Sequence, residues 1–193
     1  PRPVRIALAR RLLGARLELV DASQRDIFDG VLPAALAENL LRGHRVAPSP
    51  LPRLVPGPLP PGLPSVYAAV VGRLLPSKRV PLAVEACARA GLPCVVVGDG
   101  PVRLAGRDGL FQLGRRCHPE TLAVIARAKV LLHTSAAEGS STVVREARAL
   151  GVPVVACPAG DLAKRAADDP GIELVRPEVD ALAAALRRQL HAA

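Results

Sequence analysis

The chain has 193 residues, 50% hydrophobic but only 2% aromatic, and carries a formal net charge of +9. So few aromatic rings leave no platform for stacking bases, which argues against a nucleic-acid surface, and the cations are mixed with acids instead of forming a run. No apolar stretch approaches the roughly 20 residues of a membrane helix, and no secretory leader opens the sequence.

Cys87, Cys94, Cys117 and Cys157 are scattered without a C-x-x-C pair. That spacing argues against a zinc site or disulfide framework and for reduced, buried thiols. The expected location is therefore cytoplasmic. A basic chain still suits phosphorylated substrates and the anionic inner face of a membrane, to which it could attach peripherally.

In chain order, residues 1–47 offer a helical stretch (Val4 to Leu13), a short strand (Leu17 to Val20) and a second helical stretch (Ala34 to Leu41). These are too few to close a domain and read as a truncated N-terminal element. Residues 48–64 contain eight prolines in PSPLPRLVPGPLPPGLP. Proline removes backbone donors and favours extended chain, so this segment is expected to be a semi-rigid linker.

From residue 65 to 193 apolar runs alternate with helical patterns. Strands are predicted at Val66–Val71, Pro93–Val97, Leu110–Leu113, Val130–His133, Pro153–Ala156 and Ile172–Val175. Helices are predicted at 81–90, 119–128, 142–150 and 161–168. A last helix carries Val179, Leu182, Leu186 and Leu190 on one stripe. Pro81 and Pro119 fall where a first helical residue is expected, a place that needs no amide hydrogen. Strands that are apolar throughout are those covered by helices on both faces. The predicted fold is a doubly wound, Rossmann-like α/β domain, which binds ligands beyond the C-terminal ends of its strands.

Three predicted strand-end loops carry the chemistry. Gly72-Arg73-Leu74-Leu75-Pro76-Ser77-Lys78 places two cations on one loop, suited to a diphosphate; two ordinary surface cations are the simpler alternative. Gly98-Asp99-Gly100-Pro101 looks like part of a dinucleotide fingerprint, but Arg103 stands where a third glycine belongs. A tight turn is the better reading, and no cofactor is assigned to it. The third loop runs from Ser135 to Glu146. Gly139 permits close backbone approach, and Ser140, Ser141 or Thr142 can cap a helix whose free amides favour phosphate. Glu138 can accept hydrogen bonds from sugar hydroxyls, and Glu146, about a turn into the helix, can hold a ribose diol. Alternatively, Glu138 is a capping carboxylate and Glu146 a solvated helix residue. His118 and His133 read as capping or structural histidines. No metal site is expected.

Taken in order, Val71-Gly72-Arg73 with Lys78, Val97-Gly98-Asp99-Gly100-Pro101, Leu113-Gly114-Arg115, Ser135-Ala136-Ala137-Glu138-Gly139, Glu146 and Gly151-Val152-Pro153-Val154-Val155-Ala156 resemble the nucleotide-sugar-binding half of GT-B glycosyltransferases, particularly family 4. The resemblance covers about residues 66–190 and implies a retaining glycosyltransferase. Its substrates would be a nucleotide-diphosphate sugar and a carbohydrate or lipid-linked acceptor, with no further cofactor. It implies that Arg73 and Lys78 bind the donor diphosphate and stabilise the leaving group, and that Glu138 holds the donor sugar. Gly72 and Gly139 to Thr142 would line the sugar and phosphates, Glu146 would hold the ribose, and Gly114 to Arg116 would lie against the base. The chain departs from the pattern where Ser140-Ser141 replaces a common Phe-Gly and Ser77 replaces an acid. The family's acceptor half would precede this domain, and residues 1–60 resemble only its closing elements. A non-catalytic nucleotide- or phosphate-binding module acting through a partner chain is the alternative.

Overall fold

The computed structural model describes residues 51–191. The two helices and the strand expected within residues 1–47 lie outside the described residues. Residues 51–64 run without helix or strand. The Gly57 amide donates to the Pro119 carbonyl at 2.8 Å and Pro60 is buried. From Leu51 onward, then, the proline-rich segment expected as a linker lies along the α/β unit.

Among the described residues six strands form one sheet: β1 (Ala68–Val71), β2 (Cys94–Val97), β3 (Leu110–Gly114), β4 (Val130–His133), β5 (Val154–Ala156) and β6 (Ile172–Leu174). Five α-helices accompany them: α1 (Val80–Ala90), α2 (His118–Arg127), α3 (Thr142–Ala149), α4 (Leu162–Asp168) and α5 (Val179–His191). The strand order is β3-β2-β1-β4-β5-β6, and every neighbouring pair is parallel. This is the Rossmann-like α/β sheet expected from the sequence.

Apart from His133, the central strands β1, β2, β4 and β5 are apolar because successive residues feed two different cores, whereas β3 carries the exposed Gln112 and β6 carries Glu173. Ala68, Val70, Cys94, Val96, Val130 and Leu132 face one way, against Val80, Val84 and Cys87 of α1 and Leu182 and Leu186 of α5. Ala69, Val95, Val97, Leu131 and Val154 face the other, against Val124 and Ile125 of α2, Val144 and Ala147 of α3 and Leu162 of α4. Tyr67 anchors the second core. Its ring is buried, and its hydroxyl donates to the Val124 carbonyl at 2.8 Å. That burial pushes the phenol up to about 12.

Strand β1 starts at Ala68, not at the expected Val66, which is 46% exposed. The chain joins the sheet only where the Ala68 amide reaches the Pro93 carbonyl. Pro81 and Pro119 occupy the second helical position, not the first, because α1 opens at Val80 and α2 at His118. The shift costs nothing, since amides throughout the first turn lack intrahelical acceptors.

Register fixes where the loops emerge. Val71 pairs with Val97, and Val97 with Gly114, so β1, β2 and β3 end at one level. His133 likewise pairs with Ala156. From β1 the chain winds outward through β2 and β3, then returns to place β4 on the other side of β1. The two directions of winding part between β1 and β4, which is where a sheet of this order leaves a crevice.

Candidate functional site

The loop after β1 tightens into a 3₁₀ turn over Pro76–Lys78, and Arg79 follows in the left-handed region at φ 48°. That conformation is costly for a residue with a β-carbon, and several bonds to the loop after β4 hold it. Arg79 Nε donates to the Thr134 carbonyl at 2.8 Å, and Nη2 donates to the Ser135 carbonyl at 3.0 Å. Thr134 Oγ1 lies 2.9 Å from the Lys78 carbonyl and 3.1 Å from that of Arg79. The Ala136 amide donates to Ser77 O at 2.7 Å. The two loops are thereby sewn into one wall.

On that wall Lys78 Nζ donates to Glu138 Oε1, with side chains only 23% and 12% exposed. His133 Nε2, buried at the end of β4, lies 3.1 Å from the same oxygen. It has the proximity of an ion pair but not the alignment of a hydrogen bond, and Nε2 has no hydrogen-bond partner. Lys78 is therefore the directional partner of Glu138. Burial alone would raise the Glu138 carboxyl, but His133, Lys78 and Ser135 outweigh it and hold it down to about 2.

Arg73 points elsewhere. With Gly72, Gly98 to Gly100, Arg115, Arg116 and Thr121 it lines a cleft of ≈ 530 Å³ above the ends of β1, β2 and β3. Gly98 is required there: at φ 143°, a β-carbon on it would stand 1.8 Å from the Gly72 carbonyl oxygen. The Gly98-Asp99-Gly100 turn thus braces the loop of Arg73, and the Leu74 amide donates to Asp99 O at 2.8 Å. Gly114 lies on the far side of that turn, in a second hollow shared with Gly98 and Gly100.

Helix α3 begins at Thr142 with Ser141 as its cap residue, whose side chain makes no capping hydrogen bond. Ser140, another of the residues expected to cap it, is committed elsewhere. Its Oγ donates to Asp161 Oδ2 at 3.0 Å and accepts from Arg165 Nη2 at 3.0 Å. The Arg145 amide bonds to Ser141 O, while the Thr142, Val143 and Val144 amides come before the first intrahelical acceptor, the position that suits an anion at a helix start. Thr142 is exposed, while Gly139 and Ser140 are half-buried. Gly160 presses on this loop, where a β-carbon would meet the Gly139 and Glu138 carbonyl oxygens at 2.3 and 2.7 Å.

Glu146 is not a solvated helix residue. Only 9% of its side chain is exposed, and Oε1 lies 2.7 Å from Nε2 of His118 at the start of α2. The structure therefore joins Lys78 to Glu138, groups Gly72, Arg73 and Arg115 about one cleft, and pairs Glu146 with a histidine. Sequence reasoning missed Arg79, Thr134, Asp161 and Arg165. Their side chains act across loops distant in the chain, and no local spacing marks them.

Among the described residues no helix is long and apolar enough to cross a membrane. Comparison with curated proteins finds no match. Among solved structures, the chain is similar to sucrose-phosphate synthase from Thermosynechococcus elongatus, at 29% identity and a TM-score of 0.57. That match covers 66% of this chain and 37% of the other. It is also similar to HepE of Anabaena in complex with UDP, at 25% identity and a TM-score of 0.54, covering 65% and 39%. A third similarity is to the E. coli trehalose-6-phosphate protein bound with UDP-2-fluoro glucose. At 19% identity and a TM-score of 0.58, covering 71% and 40%, it shows the shared fold alone. The chain spans about two fifths of the length of these structures. The family model for group 1 glycosyl transferases matches residues 65–192, and with its GT-B, family 4-like motifs this chain belongs to that family.

Proposed function

We propose that this chain binds a nucleotide-diphosphate sugar along the C-terminal edge of its sheet and is the donor-binding domain of a retaining glycosyltransferase. The observation that carries the reading is the Lys78–Glu138 pair, held on two cross-bonded loops, the first of which also carries Arg73 into the cleft it shares with Arg115. A cation and an acid this close are an ion pair waiting for a ligand that can satisfy each separately. A diphosphate takes the ammonium, and sugar hydroxyls donate to the carboxylate.

In this reading Arg73 and Lys78 neutralise charge as the diphosphate leaves, and the uncapped amides of α3 add fixed dipoles without reorganising. Gly139, Ser140, Ser141 and Thr142 line the sugar and phosphates. Glu146 holds the ribose, and the segment Gly114 to Arg116 lies along the base. Glu138, kept ionised far below neutrality, orients the sugar as an acceptor and not as an acid. UDP is the first nucleotide to try, since HepE is described with UDP bound.

Isothermal titration of the full chain with UDP, GDP, ADP and their sugars tests the reading. One nucleotide family should bind, and Lys78→Ala should weaken it on the order of tenfold or more, the worth of one charge-assisted hydrogen bond. Glu138→Ala should weaken the sugar nucleotide more than the bare nucleotide. Absence of binding, or indifference to both substitutions, would refute the donor site. Incubation with carbohydrate and lipid-linked acceptors, followed by NMR of the product's anomeric carbon, tests transfer and retention. Binding without transfer would favour a module that works through a partner chain.

A further inference from the structure

We propose that His118 is a positioning residue that fixes the Glu146 carboxylate for a nucleotide ribose, so that the site selects ribonucleotides over deoxyribonucleotides. The proposal rests on the donor-binding reading above and adds a residue that reading does not use. Its basis is the 2.7 Å approach of His118 Nε2 to Glu146 Oε1. An ionised carboxylate can only accept, so Nε2 carries the hydrogen and the ring donates.

The two groups differ in burial, with the imidazole half exposed and the carboxylate 9% exposed. A buried carboxylate must have a donor, and the half-exposed ring supplies one from the solvent side. His118 stands in the chain between Arg116 and Thr121, both of which line the cleft of Arg73. The histidine therefore ties Glu146, on the adjacent helix, to the rim of that cleft.

The consequence for a ligand follows from lone-pair counting. One oxygen of Glu146 is held by the ring, which fixes the plane and rotamer of the carboxylate. The acceptor capacity that remains is then offered in one direction to a sugar diol. A nucleotide lacking one hydroxyl leaves that capacity unpaired, and sites built to bond a hydroxyl discriminate strongly against its absence. Without the ring, Glu146 regains rotamer freedom and the preference relaxes.

The experiment is titration of the full chain with UDP, GDP and ADP and with their 2′-deoxy and 3′-deoxy counterparts, using the parent, His118→Ala and His118→Gln. The parent should prefer the ribonucleotide over at least one deoxy form by about tenfold or more. In His118→Ala the ratio should fall to within about threefold, through loss of ribonucleotide affinity, while His118→Gln keeps an N–H donor and most of the preference. Thermal melting confirms that each variant is folded. An unchanged ratio in His118→Ala, an equal loss for both nucleotides, or no preference in the parent overturns the role of His118 and leaves the donor site standing. If the parent binds none of the three nucleotides, the donor reading falls and takes this assignment with it.

Discussion

Glu138 illustrates what a single side chain contributes here, because its carboxyl is held at about 2 against an ordinary 4.5. The unfolded chain takes up that proton more readily than the folded one. The stability Glu138 supplies is therefore complete above about 4.5 and is lost as pH falls towards 2. In urea unfolding, the parent should lose roughly 2 kcal/mol more than Glu138→Gln between pH 7 and pH 3. Equal losses would mean that His133, Lys78 and Ser135 do not favour the ionised carboxyl. Lys78 and Glu138 were legible in the sequence because each lies at a fixed offset within a motif. Arg79 was not, since its acceptors Thr134 and Ser135 are 55 and 56 residues away. The role of His118 is hidden for the same reason, as its partner Glu146 is 28 residues on.

Between elements, the loop joining β5 to α4 presses on the loop joining β4 to α3, where the Asp161 amide also donates to the Gly139 carbonyl at 3.2 Å. Gly160 has φ 56°, and an added β-carbon would stand 2.3 Å from the Gly139 carbonyl oxygen. Backbone on both sides cannot yield as the tip of a flexible side chain can. Gly160→Ala should therefore cost about 1–3 kcal/mol of stability through strain at a left-handed position. It should also move Glu138 and Gly139, so affinity for a sugar nucleotide should fall more than affinity for the bare nucleotide. Titration with both ligands and a melting curve read the two effects; a variant that matches the parent in each would show that the contact can relax. Helices and strands were legible at this scale because their apolar runs are long enough to show a period. The 3₁₀ turn over Pro76–Lys78 was not, because bonds from the loop after β4 hold it, and nothing local marks the missing cap of α3. Ser141 stands at the cap position without making a capping bond, while Asp161 and Arg165 hold its neighbour Ser140.

The whole domain divides its labour between the two faces of the sheet. The alternation of Ala68 and Val70 against Ala69 feeds separate cores, and the apolar central strands made helices on both faces legible in the sequence. The order in which six parallel strands line up was not legible strand by strand: Gln112 and Glu173 mark β3 and β6 as the less covered strands, but β1, β2, β4 and β5 are similarly apolar and any neighbour would bury them. Chain winding decides it, through right-handed crossovers that carry helices to one face and then the other. Helix α5 closes the face that also holds α1, and none of its residues lines the cleft of Arg73 and Arg115. Leu186 of α5 is fully buried in that core. Leu186→Ala should therefore lower stability by about 2–5 kcal/mol, from lost burial plus the cavity left behind. Nucleotide affinity, measured where the variant is still folded, should stay within about twofold of the parent, because separated sites without shared partners act independently. A parallel fall in affinity would instead mean that packing on the α1–α5 face reaches the strand ends. Glu138 and Lys78 could not then be treated as a site resting on a rigid sheet.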